Sequence, residues 1–200
     1  MLYGAIRIVL FAIVFTIFYI LIKKSKIVKK KLFTILSLIT CIIFYSISYL
    51  LPVENLFVNF KSAEEVFNYT CSGDIEDVVY GDNSCMIYYS TNKSSFSYDF
   101  VKKTTDGYKI LNRFRTKRIS YKFDTEGSFE IYNVLGTNDY YVFGTVDPKS
   151  TNIEVYDSSN IKIESDIKRT KETSFIYFYL RRFTGKCFLL VDGEKIFISY

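Results

Sequence analysis

Lys23-Lys24-Ser25-Lys26-Ile27-Val28-Lys29-Lys30-Lys31 sets six lysines in nine residues between two apolar runs, residues 2–22 and 32–51, and no Asp or Glu occurs before Glu54. A helix crosses the hydrocarbon core with about 20 apolar residues, so each run is long enough. Lipid offers the backbone no hydrogen-bond partners, and a lone run satisfies its own only as a helix. The lysine stretch is short enough to be only a turn between antiparallel helices. Cytoplasmic loops carry the excess of Lys and Arg, so Lys23, Lys24, Lys26, Lys29, Lys30 and Lys31 set the topology. The expectation is a membrane α-helical hairpin over residues 1–52, in the cell membrane, with its 23–31 loop inside and both termini extracytoplasmic.

Arg7 is the one charge within a span. Neither helix offers an acidic partner, so the expectation is a guanidinium that snorkels to the headgroups rather than one that lines a pathway. Small and hydroxylated residues let helices approach closely in lipid. On that basis Thr34, Ser37, Cys41, Tyr45 and Ser48 of the second run should face Ala5, Ala12, Thr16 and Tyr19 of the first. Neither run reads as a removable signal: the first precedes lysines rather than a small-residue cleavage site, and Leu38-Ile39-Thr40-Cys41 is followed by further apolar residues.

The net charge of +5 invites a nucleic-acid reading until the chain is divided. Residues 1–52 hold seven Lys/Arg and no acid, whereas residues 53–200 hold nineteen Lys/Arg against twenty-one Asp/Glu, a net −2. The basic balance is therefore a topology signal, and no nucleic-acid partner is expected. The 148 residues beyond the membrane are rich in Tyr, Phe, Ile and Val, which favours strands.

Ser62-Ala63-Glu64-Glu65 is a capping box, with Glu65 reaching back to the serine backbone, and predicts a helix from Ala63 to about Cys71. Alternation then predicts strands at 77–80, 84–90, 94–103 and 108–113, a small α+β unit of one helix and a four-stranded meander over residues 53–115. Residues 116–200 read as strand only, at 119–124, 128–135, 140–146, 153–156, 161–167, 174–183, 186–191 and 194–199. That spacing predicts a β-sandwich-like domain, with residues 168–173 as a projecting polar loop. Asp192-Gly193 between two apolar runs is a hairpin signal.

The chain contains no histidine, which removes His general bases, Ser-His and Cys-His pairs and imidazole metal sites. Cys187 sits in an apolar run and reads as a buried structural thiol rather than a nucleophile. Cys71 and Cys85 are a candidate disulfide, although three cysteines beyond the membrane leave one over. Asp74-Ile75-Glu76-Asp77 with Asp82 lacks calcium-loop spacing and reads as a solvated turn. Tyr88-Tyr89, Tyr140-Tyr141 and Tyr177-Phe178-Tyr179 put aromatics on both faces of their strands, one to fill the core and the other to pack between sheets or to form an exposed patch.

Phe60-Lys61-Ser62-Ala63-Glu64-Glu65-Val66-Phe67, Gly81-Asp82-Asn83-Ser84-Cys85-Met86-Ile87-Tyr88-Tyr89 and Asp106-Gly107-Tyr108-Lys109-Ile110 together resemble a pattern in uncharacterised membrane-anchored extracytoplasmic proteins of Gram-positive-type bacteria. Tyr140-Tyr141-Val142-Phe143-Gly144 and Leu190-Val191-Asp192-Gly193-Glu194-Lys195-Ile196 are similar to their later part. The resemblance implies an envelope location and no catalytic residue.

The expected function is a non-catalytic binding or accessory protein of the bacterial cell envelope, with another envelope protein or a wall polymer as partner. A structural, oligomerising membrane accessory of the immunity or secretion type is the alternative. A carboxylate- or thiol-dependent enzyme is the weakest reading. No catalytic residue, cofactor or metal ligand is expected.

Overall fold

The computed structural model describes residues 4–24, 30–92, 95–124, 127–169, 173–183 and 186–199. Helix α1 (Ala5–Lys24) is long and apolar enough to cross a membrane. Helix α2 (Lys30–Leu50) follows, and its apolar stretch, Lys31–Ile47, is shorter. The two run antiparallel: the ring of Phe11, near the start of α1, meets that of Tyr45, near the end of α2, edge-on at 5.7 Å. Lys23 and Lys24 end α1 and Lys30 and Lys31 begin α2, while Lys26 and Lys29 lie outside the described residues.

The facing surfaces meet the small-residue expectation in part: Thr34 and Tyr45 of α2 are exposed, although the Tyr45 ring meets Phe11, and the Ser48 side chain lies outside the described set. Ser37 and Cys41 of α2 are buried as expected. On α1 Ala5 is half-buried as expected, but Arg7, Phe11, Val14, Phe18 and Ile22 supply the rest of the less exposed stripe, whereas Ala12, Thr16 and Tyr19 are exposed. Large side chains of one helix thus fill the space left by small ones on the other, which packs more surface than small on small.

Beyond the helices the described residues build three antiparallel sheets. Helix α3 (Ala63–Thr70) begins with Ser62, whose side chain accepts from the Glu65 N–H at 3.2 Å. Glu65 Oε2 accepts from the N–H of Lys61, one residue before the cap, rather than from Ser62 as the capping box predicts. The first sheet has the order β1 (Asp74–Tyr80), β2 (Ser84–Asn92), β3 (Ser95–Thr104), β4 (Gly107–Ile110). β1 starts three residues before its expected position, so Asp74, Glu76 and Asp77 lie on a strand rather than in a turn. Two polar residues between Ile75 and Val78 hide the alternation, and a bulge between Ile75 and Asp77 absorbs the extra residue. Ile75 and Val78 then both pack under α3.

The second sheet contains β5 (Thr116–Asp124), β6 (Gly127–Val134), β7 (Tyr140–Val146), β10 (Asp166–Arg169) and β11 (Ser174–Leu180) in the order β10-β11-β7-β6-β5. The third has β8 (Ile153–Asp157), β9 (Lys162–Ile163), β12 (Lys186–Val191) and β13 (Glu194–Ser199) in the order β13-β12-β8-β9. The single strand expected over 161–167 is therefore two, in different sheets. Ile163 and Ile167 pack on the same core, and Glu164 and Ser165 carry the crossing between sheets. The expected polar loop 168–173 begins as strand: Lys168 and Arg169 pair with Phe175 and Ser174, and residues 170–172 lie outside the described set. The Asp192-Gly193 hairpin forms as read, with Val191 opposite Glu194 and positive φ at both turn residues.

Alternation along the strands stacks these pieces into layers. Cys85, Ile87 and Val101 of the first sheet join Phe60, Val66 and Phe67 in a core under α3. Met86, Tyr88 and Phe100, from the opposite face, pack against Val134, Tyr141 and Tyr177 of the second sheet. The other face of the second sheet, with Phe129, Ile131, Val142, Ile176 and Phe178, shares a core with Val155, Leu189, Ile196 and Ile198 of the third. The order is helix, sheet, sheet, sheet. The tyrosine-rich strands supply the middle interface, where Tyr88 stacks on Tyr177 with ring centroids 4.7 Å apart.

Candidate functional site

Residues 51–58 join the helices to the sheets, and their local chemistry follows from Pro52. Proline cannot continue the α2 hydrogen-bond ladder. The chain instead forms a 3-10 turn, Val53–Leu56, and the N–H groups of Phe57 and Val58 both donate to the Glu54 carbonyl, at 3.0 and 2.8 Å. That turn carries Glu54 back beneath the start of α1. Arg7 Nε lies 2.7 Å from Glu54 Oε1, and Nη2 donates to Oε2 at 3.0 Å. Both side chains are buried, at 5% and 0% exposure. Arg7 therefore has an acidic partner, and the snorkelling expected from sequence is replaced by a two-point ion pair. The partner is the first acid of the chain, outside both helices, and proximity came from the fold of the turn.

Asn55 continues the join. Its Nδ2 donates to the Ile110 carbonyl and its Oδ1 accepts from the Ile110 N–H, each at 2.9 Å. The side-chain amide thereby acts as one more strand residue on the edge of β4. Lys109 Nζ donates to the Asn55 carbonyl at 3.3 Å, and the Tyr108 N–H donates to Phe60 O at 2.8 Å. The strand edge is covered and the helices are tied to the first sheet.

A pocket of about 240 Å³ opens beside this joint. Leu51 and Pro52 form its helix-side wall, Ile110 and Val134 its apolar floor, and Lys102 and Arg115 contribute its cations. Arg115 is held by a second 3-10 turn, Arg113–Arg115, capped by Asn112, whose Oδ1 accepts from the Phe114 N–H at 3.0 Å. The sequence reading missed this turn and ran the preceding strand on to its first residue, Arg113, where β4 ends at Ile110; Asn112 as a cap was the available signal. Around the pocket and joint the apolar side chains of Leu56, Phe57 and Phe114 are 80%, 62% and 67% exposed.

Two polar clusters lie between the first and second sheets. Asp139 is fully buried; its Oδ2 accepts from Ser84 Oγ at 2.6 Å and the Asn83 N–H at 2.9 Å, and its Oδ1 from the Tyr179 hydroxyl at 2.9 Å. Tyr141 OH, 2.9 Å from Ser84 Oγ, completes the set. Burial and then the Asp139 hydrogen bond push the Tyr179 hydroxyl up to about 12. In the second cluster the hydroxyls of Tyr98 and Tyr132 both lie 2.8 Å from Glu130 Oε2, and Arg118 donates to Oε1 at 2.9 Å. Burial works to raise the Glu130 carboxyl, but these donors outweigh it and hold it below its ordinary value. A serine beside an aspartate resembles a reactive pair, yet Ser84 is fully buried and every partner is another wall of the same interface. These clusters weld sheets together.

The remaining sequence candidates are placed as follows. Cys71 and Cys85 border the same core but carry free thiols, and Cys71 Sγ lies 3.3 Å from Asp99 Oδ2. Cys187 is buried in β12, and burial pushes its thiol up to about 12, away from nucleophilic use. Glu76 pairs with Lys168 at 2.6 Å and Asp82 with Arg181 at 2.8 Å, so the acidic group is dispersed among separate partners. Among the described residues no group of three or more His, Cys, Asp or Glu is placed to hold a metal ion. No family model, curated protein or solved structure matches the chain.

Proposed function

We propose that this chain is a two-span membrane protein whose β-rich body stands on the extracytoplasmic side as a non-catalytic binding or accessory module of the cell envelope. One observation carries the reading: α1 and α2 present Ile8, Ile13, Ile17, Leu36, Ile39 and Ile43 outward at about half exposure, all around a helical pair. Water disfavours so much apolar surface, whereas a bilayer accepts it. Lys23, Lys24, Lys30 and Lys31 lie at the opposite end of that pair from the sheets, the arrangement of a cytoplasmic loop. The Arg7–Glu54 and Asn55–Ile110 bonds hold the body close to the membrane, as suits a module that meets partners at a set height.

Protease treatment of intact cells tests the topology: the sheets should be digested and the lysine loop spared. Protection of the sheets would reverse the orientation. Crosslinking and co-purification from intact membranes should recover a defined envelope protein or wall polymer, and repeated failure would remove the binding role. A structural, oligomerising accessory is the second reading, favoured by an apolar groove of about 300 Å³ between the helices, lined by Phe15, Phe18, Ser37 and Cys41. Exchanging the helices for an unrelated hairpin separates the two, since only the second reading requires this pair.

A further inference from the structure

We infer that the pocket beside the joint binds the phosphate of an anionic phospholipid headgroup, an inference that rests on the two-span reading above. Its place is the first observation. Leu51 and Pro52, the two residues that follow α2, line it, so in a two-span chain it opens at the level where acyl chains give way to headgroups. Its cations are the second. Neither the Lys102 nor the Arg115 side chain makes an ion pair or hydrogen bond among the described residues, although sheet surfaces elsewhere pair Arg118 with Glu130 and Lys162 with Glu154. Two unpaired cations lining one pocket raise the local potential and favour an anion. Arg115 adds the planar fork that suits phosphate oxygens, and Asn112 adds an amide.

The rim is the third observation. Leu56, Phe57 and Phe114 extend from the two short turns that frame the joint and Leu135 from the pocket wall itself, and all four are exposed. Such side chains stand at low cost in the boundary between headgroup and chain, and cations beside them are the usual complement of an anionic surface. A soluble phosphate ester has no use for that apolar rim. A lipid uses the cations, the apolar floor and the rim together.

The test uses the full chain in nanodiscs of phosphatidylcholine containing a minor share of phosphatidylglycerol, with retained lipid counted by native mass spectrometry. Phosphatidylglycerol should be retained in preference to phosphatidylcholine. Lys102→Gln and Arg115→Gln should each weaken that preference about fivefold, the contribution of one basic residue near an anionic surface. Lys103→Gln removes the same charge from the other face of the same strand and should change nothing. Equal loss in Lys103→Gln, or no preference for phosphatidylglycerol, overturns the inference. Competition by glycerol phosphate would identify the phosphate as sufficient, and its failure at millimolar concentration would make the acyl chains part of the ligand. Failure to enter the nanodisc would instead refute the two-span reading, and size-exclusion chromatography of the same samples reports that separately.

Discussion

Glu54→Gln removes the negative half of a fully buried pair and leaves Arg7 charged in a site closed to water. Breaking such a pair from one side costs about 3–5 kcal/mol, because the surviving charge has been desolvated without compensation. Gln retains the shape and one acceptor, so the lower end, about 3 kcal/mol, is the expectation. The loss should fall on the joint rather than on the two cores that flank the second sheet, which share no residue of 51–58 with it. Hydrogen exchange measured by mass spectrometry on full-length protein in nanodiscs reads this locally. The N–H groups of Phe57 and Val58 both donate to the Glu54 carbonyl and serve as reporters. A loss of about 3 kcal/mol should speed their exchange by roughly two orders of magnitude. Peptides from β7 and β11 should exchange at the wild-type rate. Replacing both partners, Arg7→Leu with Glu54→Leu, should recover much of the protection, since the desolvation penalty goes with the charges. Unchanged exchange in Glu54→Gln, or a double variant as exposed as the two singles added, would refute the reasoning.

Asn55→Ala strips two partners from Ile110 at the sheet edge, and about 1–3 kcal/mol of local stability should be lost, seen as faster exchange over residues 107–112. Gly81→Ala puts a Cβ 2.5 Å from the Tyr141 hydroxyl oxygen and 2.8 Å from the Tyr179 ring, forcing the first two sheets apart; a lowering of Tm equivalent to about 1–3 kcal/mol is expected from calorimetry. Alkaline pH should unfold the β body. The thiols of Cys85 and Cys187 and the Tyr179 hydroxyl sit at about 12 in the folded chain, burial being the main cause. Folded values above unfolded ones mean that their contribution is full below about pH 9 and drains away as pH rises towards 12. Tyrosinate absorbance should therefore rise together with loss of circular dichroism; a smooth titration near pH 10 with structure intact would contradict it. Maleimide under native conditions should modify Cys71, which is partly exposed, and leave Cys85 and Cys187 untouched until the chain unfolds.

Local rules carried the legible parts. Six clustered lysines and two apolar runs were enough for a pair of helices, because spacing along the chain is all those rules require. Ser62 at a helix start and Asp192-Gly193 in a hairpin are likewise contained within a few residues, and both formed as read. β1 was misplaced because its bulge breaks the period by which a strand is recognised. The strand over 161–167 was read as one because periodicity does not say which sheet a residue joins.

What the sequence by itself determined, then, is the division into an apolar, acid-free start and a nearly neutral strand-rich remainder, the Ser62 cap and the Asp192-Gly193 turn, and the absence of histidine chemistry. Tertiary structure alone decided that Arg7 meets Glu54, 47 residues away. It also decided that Asn55 completes the edge of β4, that the tyrosines lie between two sheets, and that Lys102 and Arg115 share one pocket. Each of these is a contact between segments whose separation in sequence carries no energetic signature. A buried charge is tolerable only where its partner arrives from elsewhere in the fold, and no local pattern announces that arrival.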